Sequence, residues 1–384
     1  VVDVNEIIAK TKEDPDQKAV YAMARIMRVV LMHRLTDVYG DIPYFEGGKG
    51  FISGDLLPKY DKQSDIYADM LKELEESATI LSGSISMQKP EQDLIYGGDV
   101  VKWKKLANSL MLRLAVRLSN VDANMAQTWA NKAITGGVLS SNADNALITH
   151  TSGPSDENRN PKYQVYQNDE TAKLSKKLVD WLKSNDDPRM MVYSGGVGPL
   201  NGYDVVTIKE YEGTTEDVDL DNTYSRINPE LVSQEAPGLI LVYAEVELLM
   251  AEAAQRGWIS SSAATHYNNG VKAAMTFYDA YPNLPVYVSE AEADDYLTAH
   301  PYVAAEGIEM ISTQYWALNF TNLYEAFANW RRTEFPVLEP VIYSSSKTNG
   351  TLPRRLPYLP SEASSNGANY SEAVNRQGED SYNT

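Results

Sequence analysis

DVVKWKKLANSLMLRLAVRLSNVDANMAQTWANKAITGG, residues Asp99 to Gly137, spells out two amphipathic helices back to back. Asp99 can accept from the unpaired N–H groups that open a helix, and Trp103, Ala107, Leu110 and Leu114 then return at the spacing of one buried face. Asp122 repeats the start, Ala126, Trp129, Ala130 and Ala133 repeat the stripe, and Gly136 and Gly137 stop it. Two helices on so short a joint form an antiparallel hairpin. On the first of them, Lys102, Lys104, Lys105, Arg113 and Arg117 read as a solvated face.

The same period extends outward in both directions. Asp14, Pro15 and Gln17 supply a cap, a first-turn proline and a capping-box partner for a helix running to about Tyr39, where Gly40 ends it. Asp61 is expected to cap a helix carrying Ile66, Tyr67, Met70, Leu71, Leu74, Ala78 and Leu81. Further stripes cover Thr171 to Lys183, Leu241 to Ala251, Tyr267 to Tyr278, Ala304 to Asn319 and Leu323 to Arg332, and Ser289 with Glu292 makes a capping box. The apolar run Leu239 to Ala244 reads as a buried helical turn or two. The expected fold is therefore all-α, one body of tetratricopeptide-like hairpins with little strand. The scaffold is placed at about 14–136 and 236–333, irregular ligand-face loops at about 142–235, and a coil tail at 336–384.

Composition narrows the function classes. A formal charge of −19 repels phosphates, and without a basic stripe it argues against nucleic acid as a partner. No apolar run approaches the roughly 20 residues of a membrane-spanning helix. Zero cysteines exclude thiolate chemistry and Cys-type zinc sites. His33, His150, His266 and His300 share no ligand spacing, and Gly195, Gly196 and Gly198 do not continue into a phosphate cradle, so neither metal nor cofactor is implied. Asp217, Asp219, Asp221 and Asn222 alternate like the front of a calcium loop, but the glycine is missing and Asn228 stands where a bidentate Glu is required. Among 53 acidic residues no pair is marked for glycoside hydrolysis; Glu245 and Glu252 read as partners for Arg256 or for backbone groups.

The informative bias is aromatic, with 25 tyrosines against 6 phenylalanines. A tyrosine ring can stack on the apolar face of a sugar while its hydroxyl reaches ligand oxygens. Tyr163, Tyr166, Tyr193, Tyr203 and Tyr211 fall in the irregular tracts beside Asn158, Asn160 and Asn201, and of these Asn158, Tyr163, Tyr166, Tyr193, Asn201 and Tyr203 are the candidate ligand contacts.

Six blocks in order resemble the SusD/RagB family of nutrient-binding outer-membrane lipoproteins: LTDVYGDIPYFEG (Leu35 to Gly47), PKYDKQSDIYADMLKELEES (Pro58 to Ser77), DLIYGGDVVKWKKLANSLMLRLAVRLSN (Asp93 to Asn120), LVYAEVELLMAEAAQRGW (Leu241 to Trp258), YEAFANWRRTEFPVL (Tyr324 to Leu338) and RRLPYLPSE (Arg354 to Glu362). The resemblance implies a non-enzymatic carrier with four tetratricopeptide-like units, lipid-tethered at the cell surface. It would hand oligosaccharides or other nutrients to a SusC-like TonB-dependent channel. A scaffold that docks the channel without binding glycan is the alternative. The chain departs from the family pattern at Glu334, where glycine is usual, at Phe327 for tryptophan and at Leu359 for proline. The cysteine for lipidation and the stretch before the first block are also missing, from which a trimmed chain is expected.

Overall fold

A computed structural model of the chain describes residues 1–153, 158–168, 173–195, 224–340, 347–348 and 350–383. Helices dominate it, as expected. They are α1 (Val2–Thr11), α2 (Lys18–Tyr39), α3 (Gly50–Ser53), α4 (Gln63–Ile80), α5 (Val100–Arg117), α6 (Ala123–Gly136), α7 (Pro161–Asn168), α8 (Lys176–Ser184) and α9 (Arg189–Ser194). The second half adds α10 (Tyr243–Gln255), α11 (Ala263–Thr276), α12 (Glu290–Ala299), α13 (Gly307–Leu318), α14 (Leu323–Thr333), α15 (Pro360–Ser365) and α16 (Gly367–Gln377). Two short strands, β1 (Ala146–Ile148) and β2 (Gly238–Leu241), pair antiparallel.

Hairpins form where the stripes placed them: α5 packs on α6, α10 on α11, and α13 on α14. Neighbouring helices then close a circuit, because α2 packs on α4, α4 on α5, α5 on α10, α10 on α13, α13 on α14, and α14 back on α2. Burying one stripe of each helix inside this ring produces a continuous core from Ala19 to Leu318. Caps were largely legible: Asp99 accepts from Val101 and Lys102 N–H, Asp122 from Met125 N–H, and the Ser289–Glu292 box is complete.

Four expectations need correction. Asp61 does not cap α4; its carboxylate accepts from Tyr44 and Phe45 N–H, and Asp41 takes the Gln63 N–H at the helix start. Leu239 to Leu241 belong to β2, where β1 provides hydrogen bonds that a helical turn would have made internally. The tract 142–235 is less irregular than expected, holding α7 and α9. The tail 336–384 is not all coil, since α15 and α16 fold back on the link between α2 and α4. There Gln377 Oε1 accepts from Asp41 N–H (2.9 Å), the Tyr358 hydroxyl donates to Asp41 O (2.5 Å), and Arg376 reaches both Asp41 and the Tyr60 carbonyl. This clasp encloses Gly40, whose φ of +80° favours glycine and where a Cβ would displace the Gln377 side-chain amide from Asp41.

Candidate functional site

Each helix of the ring sends at least one polar side chain to its centre. Arg113 on α5, fully buried, donates to Glu245 on α10 through Nε (2.6 Å) and a terminal nitrogen (2.8 Å), and also to the Ile240 carbonyl (2.9 Å). One turn on, Arg117 bridges Asp37 of α2 (2.6 Å) and Glu325 of α14 (2.7 Å). The Tyr315 hydroxyl of α13 lies between Glu245 (2.7 Å) and Glu325 (3.0 Å), and the Tyr67 hydroxyl of α4 donates to Asp37. Burial alone would raise the Glu325 pKa, but Arg113 and Arg117 outweigh it and hold the carboxyl well below its ordinary range. Asp37 follows the same pattern, burial being opposed by Arg117 and His33. Burial keeps the His33 imidazole below its usual pKa in spite of both carboxylates, so it is neutral at pH 7.

His33, Asp37 and Glu325 are, among the described residues, the one cluster with metal-ligand geometry. Their chemistry does not suit a cation. Both carboxylates are already engaged by guanidinium groups, and a dication would sit against Arg113 and Arg117. The cluster ties six helices together and leaves no acid free for proton transfer. Arg113 and Arg117, expected on a solvated face, are thus core residues, and the signal was there: Leu106, Leu110, Arg113 and Arg117 continue one stripe. Glu252 does pair with Arg256, and with Arg332 as well, while Glu245 belongs to Arg113.

A cavity of about 670 Å³ opens beside this cluster, lined among others by Asp37, Tyr67, Arg117, Arg331, Arg332 and Arg354. Its size suits a small ligand, but its polar groups are largely committed. Arg332 holds Glu252, Arg354 holds Glu334, and Arg331 donates to the Arg354 and Asp37 carbonyls.

The expected ligand contacts separate. Tyr163 and Tyr166 lie three residues apart on α7, both partly exposed. Asn160, almost fully buried, mounts that helix: its N–H donates to Gln234 O (2.9 Å), its amide to Ala236 O (2.7 Å), and its Oδ1 accepts from Lys162 N–H. Asn158 is partly exposed, and its amide donates to Thr149 O (3.1 Å). Tyr193 is a correction. It lies in α9 rather than in a loop, is fully buried, stacks on Phe320 at 4.0 Å and donates to the Ala317 carbonyl (3.1 Å), so its ring is core. Asn201, Tyr203, Tyr211 and the acidic run Asp217 to Asn222 lie outside the described residues. Asn228 is buried and bonds to Val192 O, away from any ligand role.

Residues 1–359 match the family described as "Starch-binding associating with outer membrane", SusD-like. The chain belongs to the SusD-like family. Solved structures agree with this assignment. A chitin-binding protein is 37% identical with a TM-score of 0.85, the match covering 99% of this chain and 83% of that one. A SusD homologue from Bacteroides uniformis is 27% identical, TM-score 0.81, over 100% of this chain and 83% of that one. Another, from Bacteroides fragilis, is 25% identical, TM-score 0.83, over 100% and 86%. No curated protein matches. Among the described residues no helix is long and apolar enough to cross a membrane. Glu334, where the SusD-like pattern expects glycine, takes the left-handed conformation (φ +62°) that glycine would favour, at the residue that ends α14.

Proposed function

We propose that this SusD-like protein captures a nutrient oligosaccharide at the cell surface and passes it to a SusC-like TonB-dependent channel, performing no chemistry itself. The observation that carries this is the similarity, over 99% of the chain at 37% identity, to a chitin-binding protein. The geometry supports it from the other side: the acids at the centre of the ring are each tied to an arginine or a tyrosine, so the frame offers rigidity and no acid–base pair.

The ligand face in this proposal is the α7 segment with Asn158, Tyr163 and Tyr166. It combines part-exposed rings with amide groups on a mount that the frame fixes through Asn160, which limits the ordering cost of binding. A lipid anchor in the outer membrane and docking on the channel follow from the family resemblance and belong to the proposal.

Calorimetric titration of the purified chain with chito- and malto-oligosaccharides tests it. Binding that weakens about tenfold in Tyr163→Ala or Tyr166→Ala is the expected result. Retention of a SusC-like barrel with no heat from any oligosaccharide would favour the docking scaffold instead. Reducing-sugar release by pure protein would overturn the assignment as a carrier.

A further inference from the structure

Tyr287, on the connector between α11 and α12, is the most exposed of the described tyrosines, with 66% of its surface open to solvent. Its backbone is nevertheless held: the next residue, Val288, is buried in the core, and Ser289 belongs to the capping box that opens α12. A single exposed ring is ordinary on a protein surface. This one lines a cavity of about 480 Å³, within the range of small-ligand sites, whose other walls come from two further segments. One is the stretch Asn142 to Asn145 ahead of β1, and the other is the end of α11 with the short 3-10 helix Phe277–Ala280.

Asn142, Asn145, Thr276, Asp279 and Glu290 give the cavity much of its polar lining. Asn145 is buried and its Oδ1 accepts from the Tyr243 N–H at the start of α10 (2.7 Å), which ties that wall to the ring. Other groups have capacity that the chain leaves unused. The Asn142 Nδ2 reaches Thr276 Oγ1 only at 3.5 Å, and its buried Oδ1 accepts nothing. Asp279 is exposed, and among the described residues its carboxylate has neither ion pair nor hydrogen bond. Glu290 is paired with Lys272 (2.7 Å), which also holds Asp294.

The lining selects the occupant. Among the described residues no lysine, arginine or histidine lines the cavity, so its charge is that of Asp279 and Glu290, and an anion is repelled. Neither acid belongs to a cluster with metal-ligand geometry among those residues. Carboxylates only accept, so the fitting molecule carries many O–H donors, no negative charge and an apolar face for the ring.

We infer that this cavity is a second sugar site, in which Tyr287 stacks on an uncharged sugar ring while Asp279 and the Asn142 amide take its hydroxyls. It shares no residue with the α7 segment. The inference rests on the glycan-binding proposal and adds to it a place and a ligand class, neutral rather than acidic oligosaccharides. Because the backbone around Tyr287 is already fixed, little ordering opposes binding.

The test adds maltotriose, chitotriose or trigalacturonate to the full chain with isotope-labelled tyrosine rings and follows their resonances, Tyr287 being assigned by its absence from the Tyr287→Ala spectrum. At least one neutral trisaccharide should shift the Tyr287 signal saturably, with trigalacturonate about tenfold weaker there or without effect. In Asp279→Ala the neutral sugar should bind at Tyr287 about tenfold more weakly, as expected for loss of a charge-assisted hydrogen bond. Both variants should melt with the parent, since both side chains are exposed. Saturation of the Tyr287 signal at parent strength in Tyr163→Ala upholds the site as independent of α7. A Tyr287 signal that responds to neither neutral trisaccharide overturns the inference. Shifts at Tyr163 or Tyr166 in the same spectra then leave the glycan proposal standing, whereas silence at all of these tyrosines together with no heat of binding removes both. An equal response to trigalacturonate refutes the ligand class, and a neutral-sugar response unchanged in Asp279→Ala refutes the polar contact; either overturns the inference.

Discussion

At the centre of the ring, Arg113 and Arg117 share three carboxylates and two phenols contributed by α2, α4, α10, α13 and α14; on α7, half-buried Lys162 has no carboxylate acting on it among the described residues. Both places take cations out of water, which costs several kcal/mol per ion unless partners replace the lost hydration. Inside the ring the partners belong to the protein, so the charge contributes to one fixed arrangement of helices. For Lys162 no such partner stands among the described residues, so its desolvation remains a cost to the fold. Buried charge with partners holds a frame together, and buried charge without them weighs against folding.

The largest expected effect breaks the first half of this contrast. Glu325→Gln should lose about 3–5 kcal/mol in urea denaturation, because Arg113 and Arg117 are left facing an uncharged group in the core. A loss under about 1 kcal/mol would mean the cluster is solvated and the contrast false. Next, Tyr193→Ala should cost about 3–5 kcal/mol of stability through the cavity beside Phe320, whereas Tyr163→Ala should stay within about 0.5 kcal/mol of the parent and change sugar affinity instead. Similar melting losses for the two would erase the distinction between core and face.

A smaller effect sharpens the second half. Folded Lys162 holds its proton less tightly than a lysine of ordinary pKa 10.5, so the unfolded chain binds more protons between about pH 8 and that value. The penalty is full below about pH 8 and is relieved as pH rises, so the parent should gain stability over that window relative to Lys162→Met. Parallel stability profiles for the two would show that the ammonium is already paired. The smallest effect is expected at Glu334→Gly. Relief of the left-handed backbone should contribute about 1 kcal/mol, less the exposed ion pair with Arg354, giving a rise in melting temperature of a few degrees at most.

Helix content, hairpin pairing and most caps were legible because apolar spacing and local capping chemistry depend on residues a few positions apart, as Asp99 with Val101 and Lys102, or Asp122 with Met125. Misreadings arose where a distant partner decided the outcome. Asp61 looks like a cap in isolation and instead serves the Tyr44 and Phe45 backbone. Leu239 to Leu241 has helical composition, but β1 lies beside it. Tyr193 sits among loop-like residues, and only the packing of Phe320 against it makes it core. Of the candidate site, Tyr163, Tyr166 and Asn158 fall on a shared segment.

The clasp around Gly40 has a consequence for biogenesis. Asp41 leaves the ribosome early, yet the side-chain amide that satisfies its N–H is translated 336 residues later, and the Tyr358 hydroxyl on its carbonyl arrives almost as late. Contacts so far apart in sequence form slowly. The link between α2 and α4 is therefore closed only once nearly the whole polypeptide is available.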